Sequence, residues 1–118
     1  GTLFMHCGKE GHKVDCLKQD DRASFCVVGA SAINAPKLST DFQSVICFGR
    51  VSFVDDEAER KKIVSRLTLR LAPQTTEEAL EKEFSVFSRN LVILKLKIEY
   101  VTGKEGKYLS LARKKAAR

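Results

Sequence analysis

The chain has 118 residues, 43% of them hydrophobic and 31% charged, and a formal net charge of +6 at pH 7. This length suits one domain with a modest core and is too short for two. No window approaches the roughly 20 apolar residues of a membrane-spanning helix, and the first residues lack the pattern of a secretory signal, so we expect a cytoplasmic protein.

The positive charge is concentrated near the C-terminus. Residues 103–118 contain six basic residues and one acidic residue, so five of the six net charges lie in this segment. A basic terminal segment is usually solvated. We therefore expect a single domain over residues 1–102 and a basic tail over residues 103–118, with neither nucleic acid nor a membrane as partner.

Strand signals dominate the first half of the chain. Residues 2–7 predict a short strand, residues 8–11 a turn with two glycines, and residues 13–19 a short helix. The β-rich apolar runs at residues 23–29 and 44–54 predict two further strands. The Ser, Ala, Asn and Pro residues between these two runs are typical of a loop.

Two helices are predicted next. Residues 55–71 open with acidic residues, and Ile63 and Leu67 lie four positions apart, as on one face of a helix. Thr75 and Glu78 have the spacing of a capping box, which predicts that a second helix starts there.

The last predicted strand covers residues 91–101, where apolar and charged residues alternate. One face would carry Leu94, Leu96, Ile98 and Tyr100, and the other Lys95, Lys97 and Glu99. Because two strands follow each other directly earlier in the chain, a parallel βαβ arrangement is disfavoured. The order of elements predicts a mainly β fold with helices, built on an antiparallel barrel or sheet.

Four cysteines, Cys7, Cys16, Cys26 and Cys47, could in principle form disulfides. Cys26 and Cys47 lie inside apolar runs, where a reduced cysteine behaves as a small hydrophobic residue. Since no secretory signal is present, we expect all four to be thiols.

The densest functional chemistry lies in residues 6–13. A strand ends there, a glycine-containing turn follows, and a helix begins near His12. The free N–H groups and the dipole of a helix start favour an anion. Lys13 would add a positive charge and His12 a hydrogen-bond donor. This pattern favours a phosphate site at Gly11, His12 and Lys13.

A zinc site is the alternative. Cys7, His12 and Cys16 have the spacing C-x4-H-x3-C, and CGKEGH looks like part of a retroviral zinc knuckle. Such a knuckle needs a cysteine where this chain has Phe4, and structural zinc takes four ligands. We therefore expect no metal, and a zinc-dependent nucleic-acid binder stays the less favoured hypothesis.

Three segments carry a resemblance to a known family. GTLFMHCGKEGHKVDCLKQDDRASFCVVG at residues 1–29 resembles a strand, phosphate turn and following strand of the pyridoxamine 5′-phosphate oxidase-like flavoproteins. The closest branch contains nitroimidazole-resistance proteins and related flavin reductases. FQSVICFGRVSFVDD at residues 42–56 resembles the next long strand, and VTGKEGK at residues 101–107 resembles the terminal segment.

The resemblance implies an antiparallel FMN-binding split β-barrel that lacks its first hairpin in this chain. It implies that His12 and Lys13 hold the FMN phosphate, where the oxidases use an Arg-Lys pair. His6 and Cys7 would then lie beside the isoalloxazine ring or the ribityl chain. No catalytic residue is assigned, and His6 is the residue expected nearest to the ring.

The same resemblance places Gln43 and Ser44 where the long strand offers polar side chains to the flavin. It implies an FMN-dependent oxidoreductase, nitroreductase-like or flavin-reductase-like, that uses NAD(P)H and a small-molecule electron acceptor. It also implies a homodimer with FMN at the interface. Nothing near the C-terminus resembles the substrate-holding segment of true pyridoxamine phosphate oxidases, so that activity is disfavoured. The main alternative is a non-catalytic split-barrel protein that binds flavin weakly, or haem.

Overall fold

The computed structural model describes all 118 residues and contains four strands and four helices. In chain order these are β1 (Thr2–Gly8), α1 (His12–Gln19), β2 (Arg22–Asn34), β3 (Ser39–Val54), α2 (Glu57–Leu71), α3 (Glu77–Phe87), β4 (Leu91–Glu105) and α4 (Lys107–Ala116). The strands form one sheet in the order β1-β4-β3-β2, and β1 pairs with β4 in antiparallel register. The predicted fold class, a mainly antiparallel sheet with helices, is confirmed. None of the helices has the length and apolar content needed to cross a bilayer.

The chain divides into two compact units. The first unit comprises residues 1–23 and 50–97, and the second comprises residues 24–49 and 98–118. The long strands β2, β3 and β4 each contribute residues to both units.

The core of the first unit lies where α2 and α3 pack on the sheet. Its buried members are Val54, Ile63, Val64, Phe84 and Ile93. Both helices have side-chain N-caps: Asp56 accepts a hydrogen bond from the Glu59 N–H at 2.8 Å, and Thr76 accepts one from the Ala79 N–H at 3.2 Å. Such caps satisfy backbone donors that a helix start would otherwise leave open.

The predicted capping box of α3 is wrong by one residue. The backbone N–H of Thr75 donates to the carbonyl of Ala72 at 3.0 Å and so belongs to the preceding turn. Thr76 has extended backbone angles, φ −79 and ψ 154, and its hydroxyl faces the first turn. The cap therefore falls on the second of two adjacent threonines.

The predicted division of β4 into one apolar and one polar face holds for Leu94 and Leu96, which are buried, and for Lys97 and Glu99, which are exposed, but it fails elsewhere in the strand. Ile93 and Leu94 are neighbours and point to opposite faces, yet both are buried, with 0% and 2% of their surfaces exposed. Ile93 packs into the core beside Phe84. Packing of the helices therefore buries part of the face on which Lys95 and Lys97 lie. At the other end of the strand Tyr100, predicted on the apolar face, is exposed.

The second unit contains a long hairpin. β2 continues to Asn34, so residues 30–34, predicted as loop, are strand, and β3 begins at Ser39 instead of residue 44. A short 3-10 turn at Ala35–Lys37 and Leu38, with φ 48, reverse the chain. The side-chain amide of Asn34 donates to the Asp41 carboxylate across the hairpin at 3.1 Å. Pairing along the hairpin overrides the weak strand propensity of this stretch.

Residues 103–118 comprise the end of β4 and helix α4. The Gly106 N–H, at the junction, donates to the carbonyl of Phe42 at 2.8 Å. A Cβ atom on Gly106 would lie 2.9 Å from the backbone oxygen of Thr40, so the close approach of the two backbones requires glycine here. The domain boundary at residue 102 stays a prediction.

All four cysteines are free thiols. Cys47 is buried, as its apolar surroundings predict, whereas Cys26 is exposed and is not the core residue that its sequence context predicts.

Candidate functional site

Helix α1 begins at a glycine with an unusual backbone conformation. Gly11 is the N-cap residue, with φ 143 and ψ 164, a combination that residues with a Cβ atom rarely adopt. No atom lies within 4 Å of the place where a Cβ would stand. The backbone angle, not the available space, therefore selects glycine at this position.

This N-cap leaves the start of α1 without a side-chain acceptor. Gly11 makes no side-chain cap hydrogen bond, in contrast to the caps of α2 and α3. The first backbone N–H groups of a helix have no partner within the helix, and its dipole adds positive potential at this end. His12 and Lys13 are exposed in the same turn. The structure thus brings the three predicted phosphate-binding residues together at a surface suited to an anion.

His12 lies close to Cys16, a residue that the sequence suggested only as a possible zinc ligand. Its Nε2 atom lies 3.5 Å from the Sγ atom of Cys16, and both residues are exposed. No group of three or more His, Cys, Asp or Glu residues comes together anywhere in the chain. Cys7 therefore does not join His12 and Cys16 in one cluster.

His6 and Cys7 lie on β1, opposite Ile93 and Val92 of β4. They open into a cavity of about 620 Å³ in the first unit. The cavity is lined mainly by the apolar side chains Val64, Leu67, Leu71, Phe87 and Leu91, with Thr68 and Asn90 as polar groups. An apolar cavity with a few polar groups is typical of small-molecule sites.

Gln43 and Ser44 lie in the second unit, where they line a separate cavity of about 510 Å³. Gln43 donates from Nε2 to Oε2 of Glu105 at 3.4 Å. Arg113 of α4 donates from Nε and Nη2 to Oε1 of the same carboxylate, at 2.9 and 2.7 Å. The cavity thus has a charged wall that the sequence analysis missed.

The ion pair and Lys104, which also lines this cavity, carry the charge of the wall. Hydrogen bonding from Arg113 lowers the pKa of Glu105 from its ordinary value, with smaller contributions from Gln43 and Ser110. The same contact raises the pKa of Arg113. Both groups are therefore charged at neutral pH. In the sequence, the only signal for this wall is one glutamate in an otherwise basic segment, eight residues before an arginine.

The predicted site residues therefore form three local sets. Gly11, His12 and Lys13 stand at the start of α1, and His6 and Cys7 line the first unit's cavity. Gln43 and Ser44 line the cavity of the second unit.

Comparison with known proteins identifies the family. A family model described as pyridoxamine 5′-phosphate oxidase matches residues 1–105. No curated protein matches the chain.

Solved structures share the fold at low sequence identity. A candidate 5-nitroimidazole antibiotic resistance protein from Bacteroides thetaiotaomicron is 22% identical, with a TM-score of 0.59, over 86% of this chain and 60% of that one. A conserved hypothetical protein from Mycobacterium tuberculosis is 13% identical, with a TM-score of 0.73, over 92% and 64%. An FAD and heme binding protein from Mycobacterium smegmatis is 18% identical, with a TM-score of 0.64, over 90% and 54%. The chain thus spans less than two thirds of the length of each of these three proteins.

Proposed function

Because this chain belongs to the pyridoxamine 5′-phosphate oxidase family, we propose that it binds FMN at the start of α1 and acts as an FMN-dependent oxidoreductase. The observation that carries the proposal is the glycine-capped start of α1, where exposed His12 and Lys13 flank backbone N–H groups without a side-chain cap. An ester phosphate at the end of a ligand carries up to two negative charges and three acceptor oxygens. The terminal phosphate of FMN matches this surface in charge and in hydrogen bonding.

The residues of the chain hold and orient the cofactor in this proposal. Backbone N–H groups after Gly11 donate to the phosphate, while Lys13 supplies a full positive charge and His12 a ring N–H. In the first unit, His6 and Cys7 are the proposed contacts to the ring or the ribityl chain. In the second unit, Gln43 and Ser44 are the proposed polar contacts to a flavin. A bound flavin supplies hydride and electron transfer between NAD(P)H and a small-molecule acceptor, so the protein needs no acid or base of its own.

We further propose a cytoplasmic homodimer with the flavin at the interface. The second unit exposes several large apolar side chains: Val28, Ile33, Leu38, Phe48, Tyr100 and Val101. The ring centroids of Phe48 and Tyr100 lie 6.0 Å apart, and the two side chains form one exposed aromatic pair. A second copy of the chain that covers this aromatic pair would remove apolar surface from water.

A matched pair of lysine variants on α1 tests the phosphate site. Lys13→Ala should weaken FMN binding by about 1.5–3 kcal/mol, the scale of a hydrogen bond to a charged group. Lys18→Ala removes the same charge from the last turn of α1, where the helix dipole no longer favours an anion, and should leave the dissociation constant unchanged. Fluorescence titration with FMN measures both. Equal effects at the two lysines would show that only general electrostatics attract the ligand.

A non-catalytic protein that holds haem is the second candidate function. It is favoured by the apolar cavity of the first unit, into which the imidazole-bearing His6 opens beside Leu67 and Phe87. One of the structural neighbours is named as a protein that binds both FAD and heme. Titration with hemin, followed by visible absorption, tests this alternative. A spectral change that His6→Ala abolishes, in a protein without NAD(P)H turnover, would favour it over the flavin enzyme.

A further inference from the structure

A third cavity lies between α1, the end of β3 and the starts of α2 and β4, all within the first unit. Its volume is about 370 Å³, and none of the residues proposed to contact FMN lines it. A volume in this range is enough for a small organic molecule. Five apolar side chains form part of the lining: Val14, Phe53, Val54, Leu91 and Val92.

The polar part of this lining is basic. It consists of three cationic side chains and one carboxylate: Lys9, Lys18, Arg60 and Asp55. No ion pair joins any of these four to another side chain. The single carboxylate offsets one of the three positive charges, so the lining carries a formal excess of two. A ligand that enters this cavity is therefore favoured if it is an anion.

Arg60 is the cation that the fold holds in place. Its Nη2 atom donates to the backbone carbonyls of Ser88 and Leu91, and its other guanidinium nitrogens make no hydrogen bond. The N–H groups on Nε and Nη1 therefore keep their capacity to donate to a ligand. Because the side chain is half-buried and already anchored, it loses little conformational freedom when it binds an anion.

We propose that this cavity binds a small organic anion, in which a carboxylate or phosphate group is attached to an apolar body. Arg60 donates to the anionic group, and the two lysines add positive charge. The apolar body lies against the half-buried side chains of Phe53, Leu91 and Val92. Because this contact removes apolar surface from water, an organic anion binds more tightly than an inorganic one. The inference does not depend on the proposed flavin binding.

Three probes test this site on the full chain: phenyl phosphate, benzoate and inorganic phosphate. Backbone amide shifts in NMR titrations show where each probe binds, because residues 53, 91 and 92 line the cavity and residues 11–13 form the start of α1. We expect saturating shifts at the cavity, with a lower dissociation constant for an organic anion than for inorganic phosphate. Tighter binding of phenyl phosphate identifies a phosphate ester as the preferred ligand, and tighter binding of benzoate identifies a carboxylate.

Substitutions of exposed lysines test the charge of the lining without disturbing the core. Lys18→Ala removes one positive charge and should raise the dissociation constant at the cavity about threefold, the scale of a solvent-exposed ion pair. Lys18→Glu reverses the charge and should raise it further. Lys82→Ala is the matched control, because Lys82 is exposed on α3 and does not line the cavity. It should leave the dissociation constant unchanged.

Two variants separate this site from the proposed phosphate site. Lys13→Ala should weaken FMN binding and leave the shifts at the cavity unchanged, and Lys18→Ala should do the reverse. The inference fails if no probe shifts residues 53, 91 and 92, or if inorganic phosphate binds there as tightly as both organic anions. It also fails if Lys18→Ala and Lys82→Ala have equal effects. Binding at the cavity in a chain whose FMN affinity is independent of Lys13 would remove the proposed phosphate site and leave this one standing.

Discussion

The Nε2 atom of His12 lies 3.5 Å from the Sγ atom of Cys16, one turn further along α1. This contact joins the only cysteine of α1 to a side chain of the proposed phosphate site, and both residues are open to solvent.

Alkylation of Cys16 should therefore weaken FMN binding. A maleimide adduct on this thiol would crowd the His12 imidazole and displace it from the phosphate. We expect the affinity for FMN to fall about tenfold, the scale of one lost hydrogen bond to a charged group. Fluorescence titration before and after N-ethylmaleimide treatment measures the change, and Cys16→Ser is the control. If the serine variant loses the same affinity on treatment, another cysteine is responsible.

Gly11→Ala should destabilise the protein. A residue with a Cβ atom cannot easily adopt φ 143, and backbone strain of this kind costs about 1–3 kcal/mol. Urea denaturation measures the difference. Gly103→Ala, where a Cβ would stand 4.0 Å from its nearest neighbour, should leave stability almost unchanged. A Gly11 variant as stable as the Gly103 variant would mean that the turn before α1 relaxes freely.

The ion pair between Glu105 and Arg113 should make stability depend on pH. Because Arg113 lowers the pKa of Glu105 in the folded chain, the stabilising contribution is fully present above the ordinary carboxyl value of 4.5. It is lost as the pH falls through the lowered pKa of the folded state. The Tm difference between the unmodified chain and Glu105→Gln should thus be constant at neutral pH and shrink in acid. A difference that stays the same in acid would contradict this assignment.

Ile93→Ala should be among the most damaging apolar truncations. Its side chain is fully buried between the sheet and the helices of the first unit, and such a cavity costs about 2–5 kcal/mol. Ile33→Ala, at a position that is 80% exposed, should change the free energy of unfolding by no more than about 0.5 kcal/mol. Chemical denaturation of the two variants provides the comparison, and similar losses would indicate that Ile33 is covered in solution.

The sequence predicts the elements that depend on local pattern. α2 has its apolar residues at helical spacing, and the glycine turn before α1 lies next to the residues that it positions. For that reason Gly11, His12 and Lys13 could be placed together before the structure was known. They lie close together because they are consecutive in the chain.

Other features depend on partners distant in the chain. The sequence around Ile93 does not predict its burial, because the side chains that bury it belong to α2 and α3, which lie earlier in the chain. The strand from Ala30 to Asn34 is stabilised by pairing within a hairpin, not by its own propensity. The contact between Glu105 and Arg113 requires α4 to fold back at Gly106, and the basic composition of this segment favours a solvated tail instead.

The order of strands also has a consequence for how this chain behaves at high concentration. β2 is an outermost strand of 13 residues, so one row of its backbone N–H and C=O groups has no neighbour within the sheet. Its exposed valines, Val27 and Val28, are good partners for another extended segment. Such an edge is a template for unintended strand pairing between copies of the chain.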